Sequence, residues 1–312
     1  MQLFKQEFSS MGCPCSVSLY AKDEQHARDV FKAIYQEVDR LDQYYTNYTS
    51  TSFVAEINKK AGDKNGIIVD PETAILLDYA GACYELSEGL FDVTAGALRR
   101  AWDFDAAAPS LPSSERVDAL LGVVGWDKVI WRKPHLILPY PGMMIDFGGV
   151  VKEYASDAAE KVCKTLGIHH AMIEMGGDIK IVGPHVDGRP WRIGVSHPRA
   201  NDTSIAYIEL SQGGVATSGD FERSMIIDGK LYAHILNPKT GMPVEGISGI
   251  TAVAEHCLVA GSLTTIAFLK GPQEGRKWLK KMGAPYLCAD GQGRILDSTG
   301  FTKIPAPERQ AS

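Results

Sequence analysis

The chain has 312 residues, enough for one large domain or two closely packed ones. With 45% hydrophobic and 22% charged residues it has the composition of an ordinary globular protein, and its net charge of −6 argues against nucleic acid or an anionic membrane surface as the main partner. No apolar run reaches the roughly 18 residues of a transmembrane helix.

The N-terminal stretch MQLFKQEFSSMGCPCSVSLY reads as strand. It lacks the basic-then-apolar pattern of a secretory signal, so cytoplasmic residence is expected. Cys13-Pro14-Cys15 is the only close pair among the six cysteines, and a C-P-C without other ligands is a weak metal or redox signal. Cys83 and Cys163 fall on apolar helix faces, where buried reduced thiols are usual.

Apolar residues at helical spacing (Ala27, Val30, Phe31, Ile34, Val38, Leu41) predict a helix over 24–42. Asp70 and Pro71 form an N-cap and first-turn pair for a second helix through Leu86, ending near Gly89. A short helix is expected at 114–121 and a hairpin at 129–139. From 143 a strand runs through Asp146, Gly148 and Gly149 to Lys152 and a helix over 152–166, stopped by Gly167. Strands follow at 171–174, 178–183, 191–196, 204–210, 224–228, 231–235 and 248–254, then helices near 257–269 and 273–282 and two short strands. The mix predicts an α+β fold, a β-sheet core covered by helices, with a more helical part at about 24–125. A single domain over 1–305 and a flexible tail at 306–312 are expected.

Several polar, glycine-bearing segments admit both a functional and a structural reading. A strand passing through glycines into a helix N-terminus suits an anion, because free N–H groups and the helix dipole favour negative charge; it also serves as a tight turn. The segment around Lys152 fits neither the P-loop nor the G-x-G-x-x-G pattern. Phe91-Asp92-Val93-Thr94 is either an exposed edge for an aromatic ligand or an aspartate cap. Gly176-Gly177-Asp178 allows close backbone approach or a bulge. Thr217-Ser218-Gly219 offers donors to an oxygen-rich ligand or forms a turn. His234, at the end of an expected strand in HILNPKTG, is placed to act as a base or phosphate donor, or to be structural.

In their order along the chain these segments resemble the ApbE family, the FAD:protein FMN transferases. The resemblance runs from Met11-Gly12-Cys13 through Tyr45-Thr46-Asn47-Tyr48 with Ser52, Gly89-Leu90-Phe91-Asp92-Val93-Thr94 and Asp146-Phe147-Gly148-Gly149-Val150-Val151-Lys152-Glu153-Tyr154 with Asp157. It continues with Gly176-Gly177-Asp178, Thr217-Ser218-Gly219-Asp220-Phe221, His234-Ile235-Leu236-Asn237-Pro238-Lys239-Thr240-Gly241 and Ala260 to Thr265. The resemblance implies FAD bound in a cleft between sheet and helices, Mg²⁺, and passage of FMN to a Ser or Thr of an acceptor flavoprotein with release of AMP. It points to His234 as base and Lys152 as phosphate contact. The implied flavin-site residues are Met11, Tyr48, Phe91, Asp92, Val93, Asp146, Gly176, Gly177, Ser218 and Ile235. Tyr48 and Phe91 would give the isoalloxazine a flat wall, and Asp146 would hold the flavin or the loop.

Two departures bear on the metal. In the family's A-D-x-x-x-T the aspartate is a metal ligand; here that position is Gly261, while Thr265 remains. The glycine after the family's lysine is Glu153. Val151 replaces an alanine that supplies only a carbonyl, so that change is neutral. Two readings of Glu153 stand: it replaces the lost ligand, making Val151, Glu153 and Thr265 the metal set, or it only favours the helix dipole. The first implies a working transferase or FAD pyrophosphatase. The second implies a flavin carrier or store. The acceptor and the oligomeric state are not legible.

Overall fold

The computed structural model describes residues 1–104, 109–220 and 224–304; the expected tail at 306–312 and Phe221 lie outside them. An eight-stranded sheet organises the molecule. Its strands, Gln2–Ser10, Cys13–Ala21, Ala171–Met175, Asp178–Gly183, Gly213–Gly219, Gly249–Ala254, Tyr286–Ala289 and Ile295–Thr299, lie side by side in chain order. Every neighbouring pair is antiparallel. The fold is α+β.

Alternation assigns the faces of this sheet. Cys15, Val17, Leu19 and Ala21 on one strand and Ala171, Ile173 and Met175 on its neighbour point into the main core. The helices Glu24–Tyr45, Val151–Thr165 and Cys257–Met282 pack on this side, contributing Val30, Ile34, Ala155, Ala159 and Ile266. Ile181, Val215 and Val253 meet Trp191, Ile193 and Ile208 of a separate three-stranded sheet, Trp191–His197, Ala200–Leu210 and Thr302–Lys303.

The helices form where the sequence signals them. Asp70 accepts from the amides of Glu72 and Thr73 ahead of Pro71–Leu86, and Ser113 caps Ser114–Leu121. The two expected C-terminal helices are one element, Cys257–Met282, interrupted where Gly271 takes φ 79° before Pro272. Three features differ from expectation. The N-terminus is a two-strand hairpin turning at Met11 and Gly12, both at positive φ (53° and 71°). A helix, Phe53–Lys59, follows a Ser52 cap where no helix is expected from the sequence. Thr217-Ser218-Gly219 is not a turn but the end of a central strand, bonded in register to Thr251, Ile250 and Gly249. Among the described residues no helix is long and apolar enough to cross a membrane.

Candidate active site

The site is built where Val151–Thr165 starts. Asp146 sets the approach: its amide donates to Val93 O (2.7 Å), and its Oδ1 accepts from Gly148 N (2.8 Å), closing an Asx turn. Its Oδ2 accepts from Arg99 (3.0 Å), whose other nitrogen donates to the Tyr48 hydroxyl (3.2 Å). Gly96 allows this packing, since a Cβ there would stand 2.4 Å from Asp146 Cβ. These bonds brace the loop around Asp146. Val150, the N-cap residue, brings no side-chain bond to the helix amides that follow.

Lys152 and Glu153, adjacent in the first turn, lead to two groups. Lys152 Nζ lies 2.8 Å from Oδ2 of the buried Asp178, whose Oδ1 accepts from Thr217 N (3.1 Å). Burial pushes the Asp178 carboxyl up, and the Lys152 ammonium opposes that shift. Gly176 and Gly177, at φ 56° and 87°, form the turn before Asp178. A Cβ on Gly176 would lie 3.0 Å from Cys13 Sγ and 3.7 Å from Lys152 Cδ, so this glycine is seated between them.

Glu153 turns the other way. It is 7% exposed, and a Cβ built on Gly261 would stand 2.7 Å from its Oε1 and 2.9 Å from its Cδ. The carboxylate of residue 153 thus occupies the space that a side chain at 261 would fill. Thr265 is one turn beyond Gly261, on the same helix face. Its hydroxyl lies 3.2 Å from Ser218 Oγ, which also meets Thr264 Oγ1 at 2.9 Å. Thr217 and Ser218, adjacent in one strand, join the two groups as Lys152 and Glu153 do. Val151 begins the helix and is buried. Carboxylate, hydroxyl and carbonyl oxygens are the donor types that a hard cation prefers.

Asp157, Glu160 and His256 also bring potential ligand atoms within 4.8 Å of one another. The ammonium of buried Lys180 already sits 3.1 Å from Asp157 and 2.9 Å from Glu160. Asp157 further accepts from the amides of Cys257 and Leu258, both at 3.0 Å, capping that helix. The cluster is an internally neutralised joint between helices, which disfavours a cation there.

The remaining expected residues support these. Phe91 is 4% exposed, so the exposed-edge reading fails: the ring belongs to the main core, with its tip 4.0 Å from a Cβ built on Gly149. Asp92 does not cap the short helix Ala95–Arg100, whose N-cap Thr94 brings no side-chain bond; it ties two loops together. Its Oδ1 accepts from the amide and hydroxyl of Thr94 and its Oδ2 from Trp126 N, while burial pushes its carboxyl up. Tyr48 is 75% exposed and supplies the open aromatic surface. The Met11 amide donates to Asp42 (2.7 Å). His234 follows the strand Lys230–Ala233, half-buried on a separate loop. There Ile235 O accepts from Val244 N, and Gly241 O accepts from Trp102. Sequence reasoning missed Arg99, which carried no motif, and the Lys152–Asp178 pair, whose two members lay in separate motifs.

A cavity of about 150 Å³ opens beside Gly176, Gly177 and Thr217 and continues to Gly249, Thr251 and Ser196. It is smaller than the ~300–1,000 Å³ of usual ligand pockets, so it could take only part of a dinucleotide. A larger hollow of about 360 Å³, bounded by Arg40, Tyr44 and Phe53, lies away from these residues.

An eight-stranded antiparallel sheet covered by helices, with a glycine turn meeting the start of one of them, defines an α+β protein. The chain is a member of the ApbE family, whose model matches residues 11–287. Among similar sequences, an FAD:protein FMN transferase of Chlamydia pneumoniae is 30% identical over 257 residues, 79% of either chain. One of Vibrio cholerae is 29% identical over 253 residues, 78% of this chain and 75% of the relative. The crystal structure of the ApbE protein from Thermotoga maritima superposes with a TM-score of 0.87 at 33% identity, covering 95% of this chain and 97% of that one.

Proposed function

We propose that this protein transfers FMN from FAD to a Ser or Thr hydroxyl of an acceptor flavoprotein, releasing AMP, with Mg²⁺ held by Glu153, Thr265 and the Val151 carbonyl. The observation that carries the reading is the position of Glu153. Relative to the family pattern, this chain exchanges glycine and acid between positions 153 and 261, and the Glu153 carboxylate stands where a 261 side chain would project. The oxygen ligand is kept, delivered from the opposite helix.

In this reading the FAD pyrophosphate lies over the Lys152 turn, with Gly176, Gly177 and Ser218 beside it and Met11, Asp92, Val93 and Asp146 fixing the surrounding loops. Tyr48 flanks the ring from the open side, and Phe91 supports Gly149 from below. Mg²⁺, when bound, offsets charge on the pyrophosphate oxygens. Lys152 orients the phosphates while Asp178 fixes its ammonium. His234, with Ile235 beside it, takes the proton from the acceptor hydroxyl; the hydroxyl oxygen bonds to the FMN phosphorus, and the bond to AMP breaks.

The test is incubation of the protein with FAD, Mg²⁺ and a flavoprotein carrying an acceptor Ser or Thr, following AMP by chromatography and acceptor-bound FMN by fluorescence, beside Glu153→Ala. Metal-dependent AMP release that is lost in a folded variant is the expected result. Undiminished release in Glu153→Ala would remove Glu153 from the metal set.

A further inference from the structure

The proposed transfer assigns no role to Cys13 or Cys15, and their geometry suits another ligand. Their side chains leave the same face of the Cys13–Ala21 strand, with Sγ atoms 4.0 Å apart. The Ser10 carbonyl oxygen faces both, 3.3 Å from Cys13 Sγ and 3.9 Å from Cys15 Sγ. Pro14 between them limits φ, and its carbonyl accepts from Gly176 N (2.9 Å), so the spacing is fixed by the backbone. Cys13 is half-buried and Cys15 buried, which leaves one open approach past Cys13.

Distance separates the chemistries open to such a pair. A disulfide needs sulfurs about 2.05 Å apart, and residues i and i+2 of a strand have Cα atoms near the ~6.8 Å upper limit for bridging. Two thiolates at about 2.3 Å from one tetrahedral ion are roughly 3.8 Å apart. The observed separation fits a shared ion with almost no movement.

We propose that Cys13 and Cys15, with the Ser10 carbonyl, form a binding site for one soft divalent cation of the Zn²⁺ or Cd²⁺ class. The site is separate from the hard-cation donors at 151, 153 and 265, because thiolates select soft ions and carboxylate and carbonyl oxygens hard ones. It adjoins the flavin turn through Gly176, whose absent Cβ is where Cys13 and Lys152 converge.

The test is titration of the reduced, full-length protein with Cd²⁺, read as thiolate-to-cadmium charge-transfer absorption, without flavin. One ion per chain is expected in the wild type. Cys13→Ser and Cys15→Ser should each weaken binding at least about 100-fold, while Cys83→Ser leaves it unchanged. Thermal melts supply the second measurement: Cd²⁺ should raise the midpoint of the wild type and of Cys83→Ser only. A band that survives in Cys15→Ser, or no saturable band in the wild type, overturns the site, and neither result touches the transferase reading.

Discussion

One helix carries charged groups in two different settings. In its first turn Lys152 and Glu153 face a glycine turn and a glycine-bearing helix; one and two turns on, Asp157 and Glu160 face Lys180 and a helix N-terminus. At the far end the groups neutralise one another: Asp157 caps two amides and shares the Lys180 ammonium with Glu160. At the near end Lys152 pairs with Asp178, and the Glu153 carboxylate fills the space beside Gly261. Buried acids therefore do not by themselves mark a metal site.

The largest effect should follow from removing the acid at the near end. Glu153→Ala is expected to lower AMP release by about 100-fold or more, since even outer-shell changes at metal sites cost 10–100-fold, while its melt stays near that of the wild type. The far end should respond oppositely. Asp157→Ala removes one member of a buried ion cluster and a helix cap, and should destabilise by about 3 kcal/mol in chemical denaturation, with flavin affinity retained. Lys152→Ala should weaken FAD binding about tenfold in a fluorescence titration, the scale of one charge-assisted hydrogen bond.

The smallest effect is a pH dependence of stability at the far end. Burial pushes the Glu160 carboxyl up, but Lys164 and Lys180 outweigh it and hold it below its ordinary 4.5. A depressed carboxylate stabilises the fold above its unfolded value and loses that contribution as pH falls through the folded one. For Lys180 burial acts downward, but Asp157 and Glu160 raise it above 10.5, so its contribution is present below that value and fades at higher pH. Urea midpoints should therefore fall on acidification below about pH 4.5, and less steeply in Glu160→Gln.

Much of this was legible in the sequence because local signals and tertiary structure agree. The Asp70-Pro71 start and the apolar spacing from Ala27 to Leu41 both specify helices that the core then uses. The strand Gly213–Gly219 was hidden because Gly213, Gly214 and Gly219 weaken the strand pattern, and pairing on both sides, with Asp178–Gly183 and Gly249–Ala254, holds it extended. Ser52 capped a helix that a polar stretch concealed. Motif order named the candidate site residues, but two facts emerged only from the three-dimensional structure. One was that Phe91 faces the core and not an open edge. The other was that residues 153 and 261, more than a hundred positions apart, share one side-chain space.

That shared space is tested most directly by Mn²⁺, as a spectroscopic stand-in for Mg²⁺, titrated in the presence of FAD and followed by electron paramagnetic resonance. The wild type should bind one tightly held ion. Glu153→Gly should lose it, and the double exchange Glu153→Gly with Gly261→Asp should recover it by returning the acid to the other helix. Binding that is unchanged in Glu153→Gly, or that fails to return in a folded double variant, would contradict the claim that these two positions supply one ligand between them.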